Sequence, residues 1–154
     1  LTMEQVKEGW EHFLKSRHFE QIPPLVDPER FNRTFGAYPV HFITNIPPKC
    51  LERRQRNLKQ VGYDYISAHC AGFVNYDGQP PRTKADVIRE LLKEEEQLLF
   101  VDDHPDNCVN VHEAFPEGEV WLMTRPHNQD FEHSGIRRAL HWDDVLESPR
   151  EADQ

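Results

Sequence analysis

The chain of 154 residues carries 27 acidic against 18 basic side chains, a formal charge of −9. That balance argues against a general nucleic-acid or anionic-membrane surface, which needs a basic patch, and no apolar run approaches the roughly 20 residues that span a bilayer. The length fits one domain with a real core. Three cysteines (Cys50, Cys70 and Cys108) without C-x-x-C spacing fit a reducing cytoplasm better than a disulfide framework.

Thr2 to Lys15 reads as a helix. Thr2 followed by Gln5 makes a capping box, and Val6, Trp10, Phe13 and Leu14 recur near one face. Pro23, Pro24 and Pro28 make Phe19 to Pro28 a loop or connector. Glu29 to Phe35 reads as a short helix ended by Gly36. Tyr38 to Thr44 (YPVHFIT) is the first strand. Pro47 and Pro48 then open a helix from Lys49 to Val61. One face of it is basic through Lys49, Arg53, Arg54, Arg56 and Lys59, and at this net charge it reads as a solvated face.

Gly62 ends that helix, and Tyr63 to Ser67 reads as a short strand. Ala68 to Pro81 is a loop with Asp77-Gly78 as its turn. Thr83 to Glu95 reads as a helix with Val87, Ile88, Leu91 and Leu92 inward. Leu98 to Asp102 is a continuous apolar strand, the signature of a parallel sheet buried on both faces. A helix from Pro105 to Phe115, a strand from Glu119 to Thr124 and a loop from Arg125 to Gly135 follow. Ile136 to Leu146 carries a last short strand or helix. The alternation implies parallel strands joined by right-handed crossovers with helices on both faces, an α/β, Rossmann-like class.

The chemistry concentrates at strand ends. Asp102 and Asp103 are adjacent carboxylates at the carboxyl end of the apolar strand, where open α/β sheets bind ligands. Their mutual repulsion is relieved by a cation, and Mg²⁺ suits oxygen ligands and keeps waters that a phosphate can displace. Thr44 and Asn45 end the first strand. A hydroxyl and a backbone N–H there can hold a phosphate oxygen, or can simply cap the following helix. Lys84, at the start of a helix, places a point charge beside a helix N-terminus, and both favour phosphate. Taken alone, each of the last two reads more readily as ordinary structure, a helix cap for Thr44-Asn45 and a solvated lysine for Lys84.

The order Thr44, Lys84, Asp102-Asp103 resembles motifs two, three and four of the haloacid dehalogenase (HAD) superfamily. The resemblance is carried by Phe42-Ile43-Thr44-Asn45, by Arg82-Thr83-Lys84 and by Phe100-Val101-Asp102-Asp103. Asp102 to Asn107, Thr124 to Asn128 and Leu140 to Asp144 extend it toward the 5′(3′)-deoxyribonucleotidase-like branch. It implies one domain with a three-layer fold and a mainly parallel sheet. Residues 1–36 would form a small helical cap and connector, 37–147 the core and 148–154 a polar tail. It implies a Mg²⁺-dependent phosphohydrolase acting on a phosphomonoester, with a nucleotide 5′-phosphate as the best substrate. Thr44 and Lys84 would bind the phosphoryl group and Asn45 the substrate. Asp103 would be the direct metal ligand, supported by Asp102 and Asn107, and Asp106 would cap the next helix or stand behind the metal. The substrate pocket would draw on the cap and on the loop containing Phe73 and Tyr76. Asn128 reads as a turn residue.

The family's first motif, D-x-D-x-[TV], supplies the nucleophile and the general acid and base. Leu1 to Pro39 does not contain it. Asp27, followed by Pro28, reads as a turn residue. In the family that motif's strand lies between the strands ending at Thr44 and Asp102. Without it, buried backbone groups lose partners. Residues upstream of Leu1, direct pairing of the flanking strands, or a strand from another chain would each resolve this, and upstream residues are the expected answer. The rival is a catalytically inactive HAD-like binding domain. A receiver domain, which also holds Mg²⁺ with an acidic pair, needs about 100 residues after that pair, and 51 follow Asp103. The spacings of His12 and His18, and of His127 and His133, do not match a helical zinc pair, so the histidines read as surface or loop residues.

Overall fold

A computed structural model describes residues 1–72 and 80–150. The expectations for Phe73, Tyr76 and the Asp77-Gly78 turn, and for the end of the polar tail, lie outside the described residues. The chain is α/β and divides into two compact units, Leu1–Gln79 and Pro80–Gln154. Each unit holds a small, open, parallel sheet.

In the first unit, α1 (Met3–Lys15) begins at the expected capping box. The Gln5 amide donates to Thr2 Oγ1 at 3.2 Å and the Gln5 side chain accepts from the Thr2 amide at 2.8 Å. Its apolar stripe is only half used. Leu14 is buried, but Val6 and Trp10 remain 49% and 39% exposed, contrary to the face expected from periodicity. The connector is ordered as well: a 3-10 turn, Arg17–Gln21, sends Phe19 into a core with Leu14, Ile46 and Cys50. In α2 (Pro28–Phe35), Asp27 accepts from the Arg30 amide at 3.1 Å, so it is a helix cap.

β1 (His41–Thr44) is shorter than the strand read from sequence, and it pairs in parallel with β2 (Ser67–Cys70) from His41↔Ser67 to Thr44↔Cys70. The second strand therefore starts where the sequence reading ended it. Residues 63–66 are held otherwise: the Tyr63 hydroxyl donates to Val26 O, and its ring packs edge-on against Phe31. The Asp64 amide donates to Asn32 Oδ1. A 3-10 turn, Pro48–Cys50, leads into α3 (Leu51–Val61), which Gly62 ends at φ +94°, a conformation that favours glycine.

The basic face of α3 is not simply solvated. Arg53 donates to Glu20, to Leu14 O and to Ser16 O, and covers the Phe19 ring. Arg54 is half-buried and donates to Asn57. Two histidines expected on the surface, His41 and His69, stand half-buried in the sheet, each 2.7 Å from the Ser67 hydroxyl.

The second unit runs α4 (Lys84–Leu91), β3 (Leu99–Asp102), α5 (Pro105–Ala114), β4 (Glu119–Met123), β5 (Arg137–Ala139) and α6 (Trp142–Leu146). Its strand order is β3-β4-β5, with Leu99↔Glu119 and Trp121↔Arg137 setting the registers. The central strand is buried from Val120 to Met123, as expected where a parallel strand is covered on both faces. α4 stops four residues earlier than its periodicity suggests, and the run Lys93 to Glu96 forms a turn instead. The last segment contains both a strand and a helix. β1 and β3 are each the last strand of their sheet. Among the described residues no helix is long and apolar enough to cross a membrane.

Candidate functional site

β3 ends on Asp102, whose side chain is only 4% exposed. A buried carboxylate is costly unless it is paired and hydrogen-bonded, and three donors meet this one. Lys84 Nζ lies 2.5 Å and Asn107 Nδ2 3.2 Å from Oδ2, and the His104 amide lies 2.8 Å from Oδ1.

Lys84 is the first residue of α4, and its own side chain is 11% exposed. Its position is set by a capping box, in which the Thr83 amide donates to Asp86 Oδ2 and the Asp86 amide to Thr83 Oγ1. Those bonds hold the Asp86 carboxyl below its usual range. Asn107 comes from the first turn of α5. The sequence thus places Lys84, Asp102 and Asn107 on three elements, and the second unit brings them together. Asp106 is exposed in the first turn of α5, whose N-cap is His104, so the capping role expected for Asp106 is not present.

Asp103 behaves oppositely. Its side chain is 52% exposed. Its backbone oxygen is taken twice, by Asn128 Nδ2 at 2.7 Å and by His127 Nε2 at 2.9 Å. With both carbonyl lone pairs engaged, the acceptors left to a ligand are the carboxylate oxygens. Behind this turn, Cys108 is fully buried, and burial pushes its thiol up to about 12. It is an inert packing group.

Asn128 is the residue that sequence reasoning undervalued. It does cap a turn, since its Oδ1 accepts from the Arg125 amide at 3.0 Å. It is also 2% exposed, and its Nδ2 ties Asp103 O to Met123 O. Arg138 of β5 locks it from the other side, donating to Asn128 Oδ1 and O, to Thr124 Oγ1 and to Phe131 O. The available signal was Pro126-His127-Asn128 directly after a strand end. Nothing local in that tripeptide names partners 25 residues away.

Thr44 and Asn45 close β1 in the first unit. Thr44 O accepts from the Ala71 amide at 3.0 Å. Asn45 is exposed, and its side chain lies 3.3 Å from where a Cβ on Gly72 would stand; Gly72 has φ +78°. That backbone conformation favours glycine.

Lys84 keeps two ammonium N–H groups beyond the bond to Asp102, and a phosphoryl oxygen is the acceptor such a group takes. Among the described residues no group of three or more His, Cys, Asp or Glu is arranged to hold a metal ion. A hard cation here would therefore rest on the Asp103 carboxylate, with water and substrate oxygens completing its shell, a pattern usual for Mg²⁺. The fold and this turn define an α/β protein with two open parallel sheets and an acidic strand end. No family model, no curated protein and no solved structure matches the chain.

Proposed function

We propose that the chain belongs to a Mg²⁺-dependent phosphohydrolase of the HAD type, acting on a phosphomonoester with nucleotide 5′-phosphates as the substrate class. One observation carries the reading: a buried Lys84–Asp102 pair of 2.5 Å stands beside an exposed Asp103 at the carboxyl end of a parallel strand. Mg²⁺, when bound, would supply positive charge to the phosphoryl oxygens, and Asp103 would hold it. Asp102 holds the Lys84 side chain in place. Lys84 would receive a phosphoryl oxygen. Stabilising charge on the transferring group is the main work of a phosphoryl-transfer site.

The 154 residues contain no D-x-D. In this reading an aspartate attacks phosphorus in line, displaces the alcohol of the ester and forms an aspartyl-phosphate, which water then cleaves to release phosphate. A second reading is a HAD-like domain that binds phosphate and Mg²⁺ without turnover.

The test is phosphate release from nucleoside 5′-monophosphates by the full-length protein, with and without Mg²⁺. Asp103→Asn is expected to abolish Mg²⁺-dependent release and leave the thermal midpoint unchanged. Unchanged release would sink the metal assignment. A wild-type protein that binds Mg²⁺ and phosphate but releases none would favour the second reading.

A further inference from the structure

The strands of the first unit carry a polar cluster that the phosphoryl turn does not use. Neighbouring residues of a strand point to opposite faces, and β1 pairs with β2 in the register His41↔Ser67 and Ile43↔His69. His41, Ser67 and His69 therefore share one face. Phe42 and Cys70 belong to the other face and enter the apolar interior. Phe42 packs against Phe31 and Tyr63, and Cys70 against the cluster of Leu14, Phe19, Ile46 and Cys50. Parallel strands are ordinarily apolar on both faces. Two imidazoles and a hydroxyl, all half-buried, are a departure that packing does not call for.

The three side chains converge. His41 Nδ1 and His69 Nε2 each lie 2.7 Å from Ser67 Oγ, and the ring centroids are 6.4 Å apart. The hydroxyl can donate to only one of the two nitrogens, and the nitrogen that accepts turns a lone pair toward Oγ. Neutral imidazole is the commonest protein ligand to a metal. Two nitrogens on one Zn²⁺ at about 2.1 Å lie within about 4.2 Å of each other. The shared oxygen keeps these two within twice 2.7 Å, so a closure of about 1 Å brings both onto one ion. Imidazole suits Zn²⁺, Cu²⁺ or Ni²⁺, whereas Mg²⁺ prefers oxygen. Two histidines are fewer ligands than a closed structural zinc centre holds. Ser67 Oγ and water would fill the remaining positions, and the site would stay open.

We propose that His41 and His69 form a site for a divalent transition-metal ion, Zn²⁺ first among them, with Ser67 Oγ between the two rings. This site is independent of the phosphohydrolase reading, which places a hard cation on Asp103 of the other unit.

The experiment is calorimetric titration of the chelator-treated, full-length protein with Zn²⁺, in an excess of Mg²⁺ that occupies hard oxygen positions. Saturable binding is expected, and Zn²⁺ should raise the thermal midpoint by binding the folded state. His41→Ala and His69→Ala should each weaken binding about tenfold or more. His41→Asn keeps a hydrogen-bonding side chain opposite Ser67 but removes the imidazole, so it tests the site even where alanine disturbs the sheet. His133, whose ring meets His112 edge-on at 5.2 Å, belongs to a second histidine pair, and His133→Ala should bind as the wild type does. No saturable Zn²⁺ binding, binding unchanged in the His41 and His69 variants, or a loss confined to His133→Ala would overturn the site. Failed Zn²⁺ binding leaves the Asp103 reading standing, and failed phosphate release leaves this site standing.

Discussion

β1 ends in Thr44-Asn45, where one side chain is half-buried and the other lies exposed against a glycine. β3 ends in Asp102-Asp103, where a buried carboxylate takes three donors and the next backbone carbonyl takes two more. Both are carboxyl ends of parallel strands, yet only one is pinned. The difference follows from charge. A threonine hydroxyl at a half-exposed strand end finds water at little cost, whereas a carboxylate at 4% exposure forces the fold to bring partners to it. The end of β3 is thus built by stability and then lends its rigidity to Asp103.

The comparison breaks most readily at Lys84. Lys84→Met leaves Asp102 buried without its cation and is expected to cost about 3–5 kcal/mol in urea unfolding. Thr44→Val should stay within about 0.5 kcal/mol; equal losses would refute the contrast. A smaller gap is expected between the two asparagines. Asn128→Ala removes one of the two donors to Asp103 O, a donor to Met123 O and the acceptor of the Arg125 amide, for about 2–3 kcal/mol. Asn45→Ala should cost less than about 0.5 kcal/mol by the same measurement.

The smallest effect sharpens how Lys84 is aimed. Thr83→Ala removes the N-cap of α4, for about 1 kcal/mol at neutral pH. The Asp86 carboxyl lies below its ordinary 3.8 because Thr83 hydrogen-bonds to it. A group depressed in the folded state stabilises above its unfolded value, and that contribution disappears as pH falls through the folded value. Thermal midpoints should therefore drop below about pH 4 in the wild type, and drop less steeply in Asp86→Asn.

Much of the helical structure was legible because its determinants are local. The capping box of Thr2 and Gln5, the Pro47-Pro48 helix entry and the Gly62 stop each act within a few residues. The apolar run into Asp102 announced both a buried parallel strand and the acidic turn. What failed depended on distant partners. Tyr63 has the composition of a strand residue, but its hydroxyl reaches Val26 and its ring Phe31, so β2 starts later. Val6 and Trp10 obey helical periodicity but meet no core. Arg53 reads as a surface cation and serves as a bracket for the turn around Ser16.

The sequence by itself determined where most helices start and stop, that strands alternate with them in an α/β chain, and that an apolar strand runs into Asp102 and Asp103. Those features rest on backbone sterics, capping and apolar periodicity, which act within one or two turns of chain. Only the tertiary structure decided that Asp102 is the buried partner of Lys84 and Asp103 the exposed acceptor, and that Asn128 pins their turn. Burial and hydrogen-bond pairing between residues tens of positions apart made those choices, and no local pattern encodes them.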